Sequence, residues 1–269
     1  QMSIKEIWHY YIRYIGAGAV AFGGMITLVR AIPTILETFK TGLRKVSNKN
    51  RKNEERTDRD LPMLVVIGGA VILGICLWLV LSFWTATEIR IIPNLLVAFL
   101  MVIFSFFFVT VSSRIVGLIG SSSNPVSGMT ITTLLLTSLI FSLLGWTSDA
   151  HMVIALSVGA VVCISIAIAG DTSQDLKTGF LVGATPWKQQ IGEFIGVLTS
   201  AIFVGWVILR LHKGVGIGSE ALPAPQATLM SLVVKGVITG DLPWRFVIIG
   251  IFLAAIVERV GIRSLPFAV

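Results

Sequence analysis

The 269-residue chain is 55% hydrophobic and only 13% charged, and its mean hydropathy is +0.88. A soluble protein of this length cannot hide so much apolar surface, because its exterior must stay hydrated, so the composition excludes a soluble domain. The net charge of +7 does not indicate a nucleic-acid partner. Many basic residues lie in one loop between apolar segments, as the positive-inside rule places them.

Seven apolar segments are long enough to cross a bilayer as helices. In chain order they are 11–39, 61–84, 93–120, 129–146, 152–169, 187–209 and 243–260. A weaker segment at 223–240 contains Lys235 and is predicted to be interfacial, re-entrant or a broken span. The sequence therefore predicts an all-α, polytopic helical membrane protein with about seven transmembrane helices.

The polar loop at 40–60 holds eight Lys and Arg residues, more than any other loop. Short loops rich in Lys and Arg remain on the cytoplasmic side of a membrane. The loop is therefore predicted to be cytoplasmic. Counting spans from it places residues 114–128, 177–188 and 259–263 on the same side.

A polar stretch at 121–128 interrupts the apolar sequence between two spans. Asn124 tolerates left-handed backbone and Pro125 cannot donate a backbone hydrogen bond, so a helix is expected to break there. Freed backbone groups persist in hydrocarbon only where protein or a wet cavity satisfies them. An ordinary cytoplasmic turn is the alternative. The residues predicted to line or shape a solute cavity are Asn124, Pro125, Ser127 and Gly128.

The break also predicts what kind of group could bind there. A helix that starts at Met129 would point its N-terminus into the break. Helix N-termini favour anionic groups, because their first amides are unpaired and the helix dipole is positive at that end. A peptide carboxylate is one such group.

A second polar stretch, at 170–177, follows the fifth predicted span. Asp171 is predicted to cap a helix that starts there, and Lys177 could pair with Asp171 or Asp175. The functional interpretation makes Asp171 or Asp175 a proton or cation site near an inner gate. A solvated loop carrying a helix cap is the alternative.

Glu193 lies near the start of the sixth span, where charge is rare and usually functional. An interfacial carboxylate, or a pair with Lys188 or Gln189, is the structural alternative. A proton-coupled carrier needs a titratable group near its pathway. Three carboxylates are the candidates, with Asp171 first because it follows a span directly: Asp171, Asp175 and Glu193.

Signatures of catalysis and of metal binding are missing from the sequence. It contains no phosphate-binding loop, nucleophile elbow or HExxH motif, so an enzyme is not expected. The three histidines are scattered at segment ends without metal-ligand spacing. Neither a metal site nor a cofactor is predicted.

Four motifs in order cover nearly the whole chain: Tyr-Ile-Gly-Ala-Gly-Ala-Val at 14–20, Asn-Pro-Val-Ser-Gly-Met-Thr at 124–130, Ala-Gly-Asp-Thr-Ser-Gln-Asp-Leu-Lys-Thr-Gly at 169–179, and Ala-Pro-Gln-Ala-Thr-Leu-Met at 224–230 with Gly-Asp-Leu-Pro-Trp at 240–244. They resemble the oligopeptide transporter family, nearest its bacterial and yellow-stripe-like branch. The resemblance implies proton-coupled import of small peptides, or of metal chelates such as metal–nicotianamine. It places Gln226 in the substrate pathway and Gln174 and Lys177 at a gate.

Members of that family are longer, so residues 1–269 are expected to form an internal to C-terminal portion of the membrane domain. The expected partners are a small peptide or metal chelate, protons, the lipid bilayer and the remaining part of the same transporter chain. The expected location is the bacterial inner membrane. A non-transporting membrane scaffold and, less favoured, a channel are the alternatives.

The first testable prediction concerns sidedness. A cysteine introduced at Asn50 should resist a membrane-impermeant thiol reagent in intact cells, because the basic loop at 40–60 is cytoplasmic. The same cysteine should react once the cells are permeabilised. Rapid labelling in intact cells would invert the assignment of every loop.

Overall fold

The computed structural model describes residues 55–84, 91–240 and 243–261, together with residues 7, 11–12, 14–16, 18–19, 22–23, 25–26, 29–30, 32–33 and 36. We call the described residues between 7 and 36, all of them helical, the N-terminal segment. Every regular element in the described part of the chain is helical, which confirms the predicted all-α class. The helices are α1 (Met63–Trp84), α2 (Ile91–Ile119), α3 (Val126–Leu143), α4 (Asp149–Leu181), α5 (Pro186–Gly214), α6 (Pro225–Thr239) and α7 (Trp244–Arg259).

Helices α1 to α5 are each long and apolar enough to cross a membrane. They confirm five of the predicted spans. Helices α6 and α7 have 15 and 16 residues and meet at an angle of 119°, so they count as a sixth span only as a bent pair. That geometry fits the broken or re-entrant segment left open by the sequence at 223–240, whereas 243–260 alone is too short. Much of the predicted first span, 11–39, and of the loop at 40–60 lies outside the described residues.

The outer helices expose apolar side chains along most of their length. Helix α5 has 29 residues and none of them is buried, and only 6% of the most hydrophobic stretch around α1 is buried. Such surfaces need an apolar surrounding, because contact with water would be unfavourable over their whole length. The fold is therefore that of an integral membrane protein.

The centre of the bundle is the pair formed by α2 and α4, which run parallel. Two hydrogen bonds join residues exactly sixty positions apart in the chain. The Ser105 hydroxyl lies 3.2 Å from the Ser165 hydroxyl, and the Ser173 hydroxyl donates to the Ser113 carbonyl at 2.7 Å. Small side chains along this seam let the two helices approach closely, as in other membrane helix pairs.

Helix α3 is the most buried of the five spanning helices and lies between α4 and α6. It carries a series of buried hydroxyl side chains: Thr130, Thr132, Thr133, Thr137 and Ser138. The first three donate to the carbonyl oxygen four residues earlier, at 2.8–2.9 Å. This local bonding lets hydroxyls sit inside an apolar bundle without water.

The turn between α3 and α4 is fixed by aromatic packing. Gly145 has a φ of +73°, which a residue with a side chain rarely adopts. The Trp146 ring stacks on the His151 ring with centroids 5.5 Å apart, and it meets the buried Phe141 ring edge-on at 5.2 Å. The two helices are therefore held as one hairpin.

The N-terminal segment packs against α7 at backbone distance. A side chain on Gly18 would collide with the Val247 carbonyl, and one on Gly250 would collide with the Ile15 carbonyl. The Tyr11 and Phe246 rings meet edge-on at 5.0 Å. Glycine at both contact points is what permits so close a crossing.

The contact between α3 and α4 generates a stability prediction. Gly159 lies directly against the fully buried Leu134 side chain, with no space for a Cβ atom. Gly159→Leu should lower the free energy of unfolding by about 1–3 kcal/mol, because the core is overpacked. Thermal unfolding in detergent measures this.

The matched control is Gly196→Leu on α5, where the added side chain meets nothing within 4 Å. That variant should unfold at the wild-type temperature. An equal loss of stability in both variants would contradict the prediction, because it would show that the effect of Gly159→Leu does not come from the α3–α4 contact.

Candidate functional site

The predicted break between two spans is present. Helix α2 ends at Ile119, Gly120 takes a φ of +94°, and a short 3₁₀ turn, Ser121–Ser123, leads to Asn124. Pro125 then precedes the first turn of α3. No side chain caps this first turn, where Ser127 is half-buried and Gly128 is buried. A half-buried helix N-terminus with uncapped amides is suited to an anionic group.

The Asn124 side chain enters the seam between α2 and α4. Its Oδ1 lies 3.1 Å from the Ser112 hydroxyl, and its Nδ2 donates to the Ile166 carbonyl at 3.4 Å. The Ser112 hydroxyl also reaches the Ile166 carbonyl at 2.8 Å, so it can serve either acceptor. These contacts anchor the break to the bundle, which supports a role in shaping a cavity more directly than a role in lining one.

The two polar stretches touch each other, which the sequence did not predict. Gly170 begins the second stretch, and a Cβ atom there would lie 2.6 Å from the side-chain nitrogen Nδ2 of Asn124. The same atom would lie 3.4 Å from the Ser112 hydroxyl. Glycine at 170 therefore makes room for the Asn124 side chain, and the break packs against the second stretch.

The second stretch is not a loop, and the prediction that Asp171 caps a new helix is wrong. Helix α4 runs without interruption from Asp149 to Leu181, and its N-cap is Ser148. The residues that were predicted to form a loop are helical. The helix ends at Leu181, and the backbone reverses at Gly183, which has a φ of +72°. The predominantly apolar stretch at 150–169 already has the length that a membrane span requires, so the polar residues after it can continue the helix without lying in hydrocarbon.

Two side chains from this polar part hold the break. The Gln174 side-chain oxygen accepts a hydrogen bond from the Ser121 amide at 3.0 Å. The Ser173 side chain touches the Gly117 position, where an added Cβ would lie 2.9 Å from its hydroxyl. Gln174, which the resemblance placed at a gate, thus pairs with a backbone group that the end of α2 leaves open.

The carboxylates predicted for proton coupling differ in environment. Asp171 and Asp175 are exposed on α4, as is Lys177. No ion pair joins Lys177 to either aspartate among these described side chains. The pairing left open by the sequence is therefore not present in the structure.

Glu193 lies where α5 contacts α4. It is half-buried and lies close to the side chains of Thr172 and Asp175. Its Oε1 atom is buried without a hydrogen-bond partner. The Lys188 ammonium group instead lies over the Trp187 ring, 5.7 Å from its centroid, so the alternative Lys188–Glu193 pair is not formed.

Gln189 completes this contact, one turn before Glu193. Its Nε2 donates to the Asp175 carbonyl at 3.1 Å, while its Oε1 is buried without a partner. The side chain fits because position 179 is glycine, where any Cβ would collide with it. Two buried acceptor atoms, from Gln189 and Glu193, therefore lie on one face of α5.

A contact that the sequence did not predict fixes the same end of the bundle. The Arg56 guanidinium donates to the Thr185 hydroxyl at 2.8 Å and to the Gly183 carbonyl at 2.7 Å. The Gln190 side chain accepts from the Leu61 amide at 3.0 Å. The end of the basic loop therefore clamps the α4–α5 turn. This contact agrees with the prediction from the basic residues that the loop at 40–60 and residues 177–188 lie on the same side of the membrane.

Gln226 does not join the other predicted residues. It is exposed in the first turn of α6, two residues after the N-cap Ala224. Helix α6 reaches α3 further along, where Leu229 and Met230 pack against Ile131. In the described part of the chain no cluster of three or more His, Cys, Asp or Glu residues could hold a metal ion.

These features define a polytopic helical membrane protein with a polar break between two of its spans. The model of the oligopeptide transporter protein family matches residues 1–266, and the chain belongs to that family. The predicted resemblance is thereby confirmed.

Individual relatives agree with this assignment. The chain is 30% identical to a Haemophilus influenzae protein named "Putative oligopeptide transporter". The alignment has 278 positions and covers 94% of the chain. It is 29% identical over 104 residues, 36% of its length, to "Probable metal-nicotianamine transporter YSL13" of Oryza sativa, and covers 14% of that protein. An Arabidopsis thaliana protein, "Probable metal-nicotianamine transporter YSL5", is 27% identical over 101 residues, 36% of this chain and 14% of its own.

The chain spans 44% of the length of the Haemophilus relative. No solved structure matches it.

The seating of Asn124 can be tested by a double-mutant cycle. Ser112→Ala and Asn124→Ala should each destabilise the protein, and their effects should differ from additivity by about 0.5–1.5 kcal/mol, because they share a hydrogen-bond network. Unfolding in detergent measures the coupling.

As a control, Thr199→Ala on the exposed helix α5 takes the place of Asn124→Ala in the cycle. The Thr199 hydroxyl bonds only to carbonyls of its own helix. Combined with Ser112→Ala it should be additive. Additivity of Ser112 with Asn124 would contradict the observed contact.

Proposed function

We propose that this chain forms part of a secondary active transporter that imports small oligopeptides, with proton movement as the driving force. The observation that carries the proposal is the packing of the Asn124 break against Gly170, at one end of a bundle of helices that are long enough to span a membrane. A break in a membrane helix leaves backbone groups that must be satisfied, and such breaks commonly mark solute sites.

The local chemistry supports a substrate with a carboxylate. The first turn of α3 has no side-chain cap and starts at the break, with Ser127 and Gly128 beside it. Its amides and the positive end of the helix dipole favour an anion. In this proposal Asn124 and Pro125 shape the site, while Ser127 and Gly128 face the solute.

Metal chelates are the second candidate substrate class. Relatives named as metal-nicotianamine transporters match parts of the chain, and such chelators also carry carboxylates. The peptide class is preferred because the relative that matches 94% of the chain is named for oligopeptides. A scaffold without transport would have no need of a half-buried polar break. In this proposal the remaining part of the same transporter chain is a partner, and the protein lies in the bacterial inner membrane.

For proton coupling, the surroundings support Glu193 over the other two candidates. A coupling carboxyl should exchange protons with a site from which water is partly excluded. Asp171 and Asp175 are exposed, whereas Glu193 has one buried oxygen without a partner, on the same face of α5 as the unpartnered Gln189 oxygen. A protonated Glu193 could donate to such an acceptor, and an ionised one could not.

Uptake by the full-length protein in proteoliposomes tests the function. Labelled di-, tri- and tetrapeptides are compared with iron chelates, with and without an imposed pH gradient. Peptide accumulation that depends on the gradient is expected. Asn124→Leu should abolish uptake while remaining folded and inserted, because leucine removes the side-chain amide that joins the break to Ser112 and Ile166, while Ser112 keeps its bond to the Ile166 carbonyl. Accumulation of chelates alone would favour the second class, and no uptake of either would favour a scaffold.

A comparison of carboxylate variants tests the coupling residue. Glu193→Gln should retain solute exchange at near wild-type rate and lose gradient-driven accumulation, because glutamine keeps the shape but cannot carry a proton. Asp171→Asn, which the sequence alone ranked first, should retain both activities. If Asp171→Asn loses accumulation and Glu193→Gln keeps it, the assignment from burial is wrong.

A further inference from the structure

The residues just before α1 are fastened to a different part of the bundle. We call residues 55–61 the strap, and its first part is a 3₁₀ turn, Arg56–Asp58. The strap leads into α1, which packs on α2, whereas its hydrogen bonds go to the turn between α4 and α5. It therefore links one outer helix, α1, to another, α5.

Backbone as well as side-chain groups form this link. Two of the bonds come from the Arg56 guanidinium, as described above. The Trp187 amide donates to the Arg59 carbonyl at 3.1 Å, and the Leu61 amide donates to the Gln190 side-chain oxygen at 3.0 Å. The strap is thus held near its start, its middle and its end.

The strap also completes the start of α5. Thr185 is the N-cap residue of this helix, yet its side chain makes no capping bond, and its hydroxyl accepts from Arg56 instead. The first amides of a helix have no partner within it. Here the Trp187 amide, in the second position of α5, donates to the Arg59 carbonyl of the strap. A threonine hydroxyl at the N-cap commonly accepts from this same amide, so the Trp187 amide has a second acceptor close by.

The bonds of the strap are suited to reversible opening. From Glu55 to Asp60 every residue except Thr57 is exposed, so water reaches the strap. An exposed hydrogen bond is exchanged for bonds to water at a small net cost. Once the strap leaves, the Thr185 hydroxyl can cap α5. The contact therefore has two arrangements in which the Trp187 amide is satisfied.

The strap lies close to the break. Gln174 holds the Ser121 amide of the break, and α4 ends at Leu181, about two helical turns further on. The strap binds directly after that end, at Gly183. It therefore lies at the end of the bundle that carries the Asn124 break, and the basic residues predict this end to be cytoplasmic.

We propose that the strap is a gate for solute release, closed in this structure. It opens when Arg56 leaves the α4–α5 turn and the Trp187 amide passes from the Arg59 carbonyl to the Thr185 hydroxyl. Opening frees the start of α5 from α1, so that a solute at the break can leave on the cytoplasmic side. As a step in import, the gate rests on the proposed function; as a switch between two acceptors, it can be measured alone.

Hydrogen exchange in the full-length protein tests the switch. Arg56→Gln should speed exchange of the Leu61 amide about tenfold, because charge-assisted bonds hold the strap closed. The Trp187 amide should stay protected in that variant and lose its protection only when Thr185→Val is added, since Thr185 is its second acceptor. Exchange at Leu61 that Arg56→Gln does not change, or equal acceleration of both amides, would overturn the switch.

The matched control is Arg210→Gln, which removes an exposed arginine near the other end of α5. Exchange at Leu61 and Trp187 should match the wild type there. Arg56→Lys should give an intermediate acceleration, because an ammonium group keeps the charge but cannot reproduce the two-pronged contact of a guanidinium.

Tethering the strap tests the gate. Arg59→Cys and Trp187→Cys place thiols on two residues that a backbone bond holds side by side, after Cys76 and Cys163 are replaced by serine. Joining them with a short bifunctional methanethiosulfonate should lower peptide uptake in proteoliposomes about tenfold or more, and a reductant should restore it. Neither single-cysteine variant should respond to the reagent. Uptake at the unreacted rate after complete joining would overturn the gate.

The two assays separate this proposal from the proposed function. If the wild-type protein imports no peptide while the two amides respond as expected, the switch stands and the transport assignment fails. If the tethered protein imports peptide at the rate of the untethered one, the transport assignment stands and the gate fails.

Discussion

The structure depends on satisfying the backbone groups that are left open where α2 ends and α3 begins. Ending α2 and starting α3 within a few residues leaves carbonyls and amides without helical partners. The protein meets this need with side chains from α4: Gln174 accepts from the Ser121 amide, and Asn124 donates back to the Ile166 carbonyl. The break, the parallel α2–α4 pair and the small residues on their seam therefore require one another.

Residue patterns in the sequence correctly predicted the helical class, five of the spans and the break at Asn124. Apolar length and the Asn-Pro pair are local signals, and local signals are readable from one sequence. The second polar stretch was misread as a loop. Polarity alone does not end a helix, and the structure shows α4 continuing through Asp171 as far as Leu181.

Contacts between distant residues were out of reach of sequence patterns. Gly170 was noted only as the start of the second polar stretch, whereas in the structure its missing side chain makes room for Asn124. Arg56 was counted for its charge, yet it forms specific hydrogen bonds with Thr185 and the Gly183 carbonyl. Glu193 could be flagged as an unusual charge, but only packing distinguishes its buried oxygen from the exposed Asp171. Each of these depends on which helices become neighbours, and the chain has many ways to pair similar apolar helices.

The uninterrupted length of α4 has a mechanical consequence. Its 33 residues form a rod about 50 Å long, clasped near one third of its length where Gly159 meets Leu134. Rotation about that clasp would move the two ends in opposite directions. A tilt of about 10° would displace the longer arm, which carries Gln174 and Asp175, by roughly 5 Å. The aromatic turn at the other end would travel about half as far, so a small motion on one face of the membrane becomes a larger one on the other.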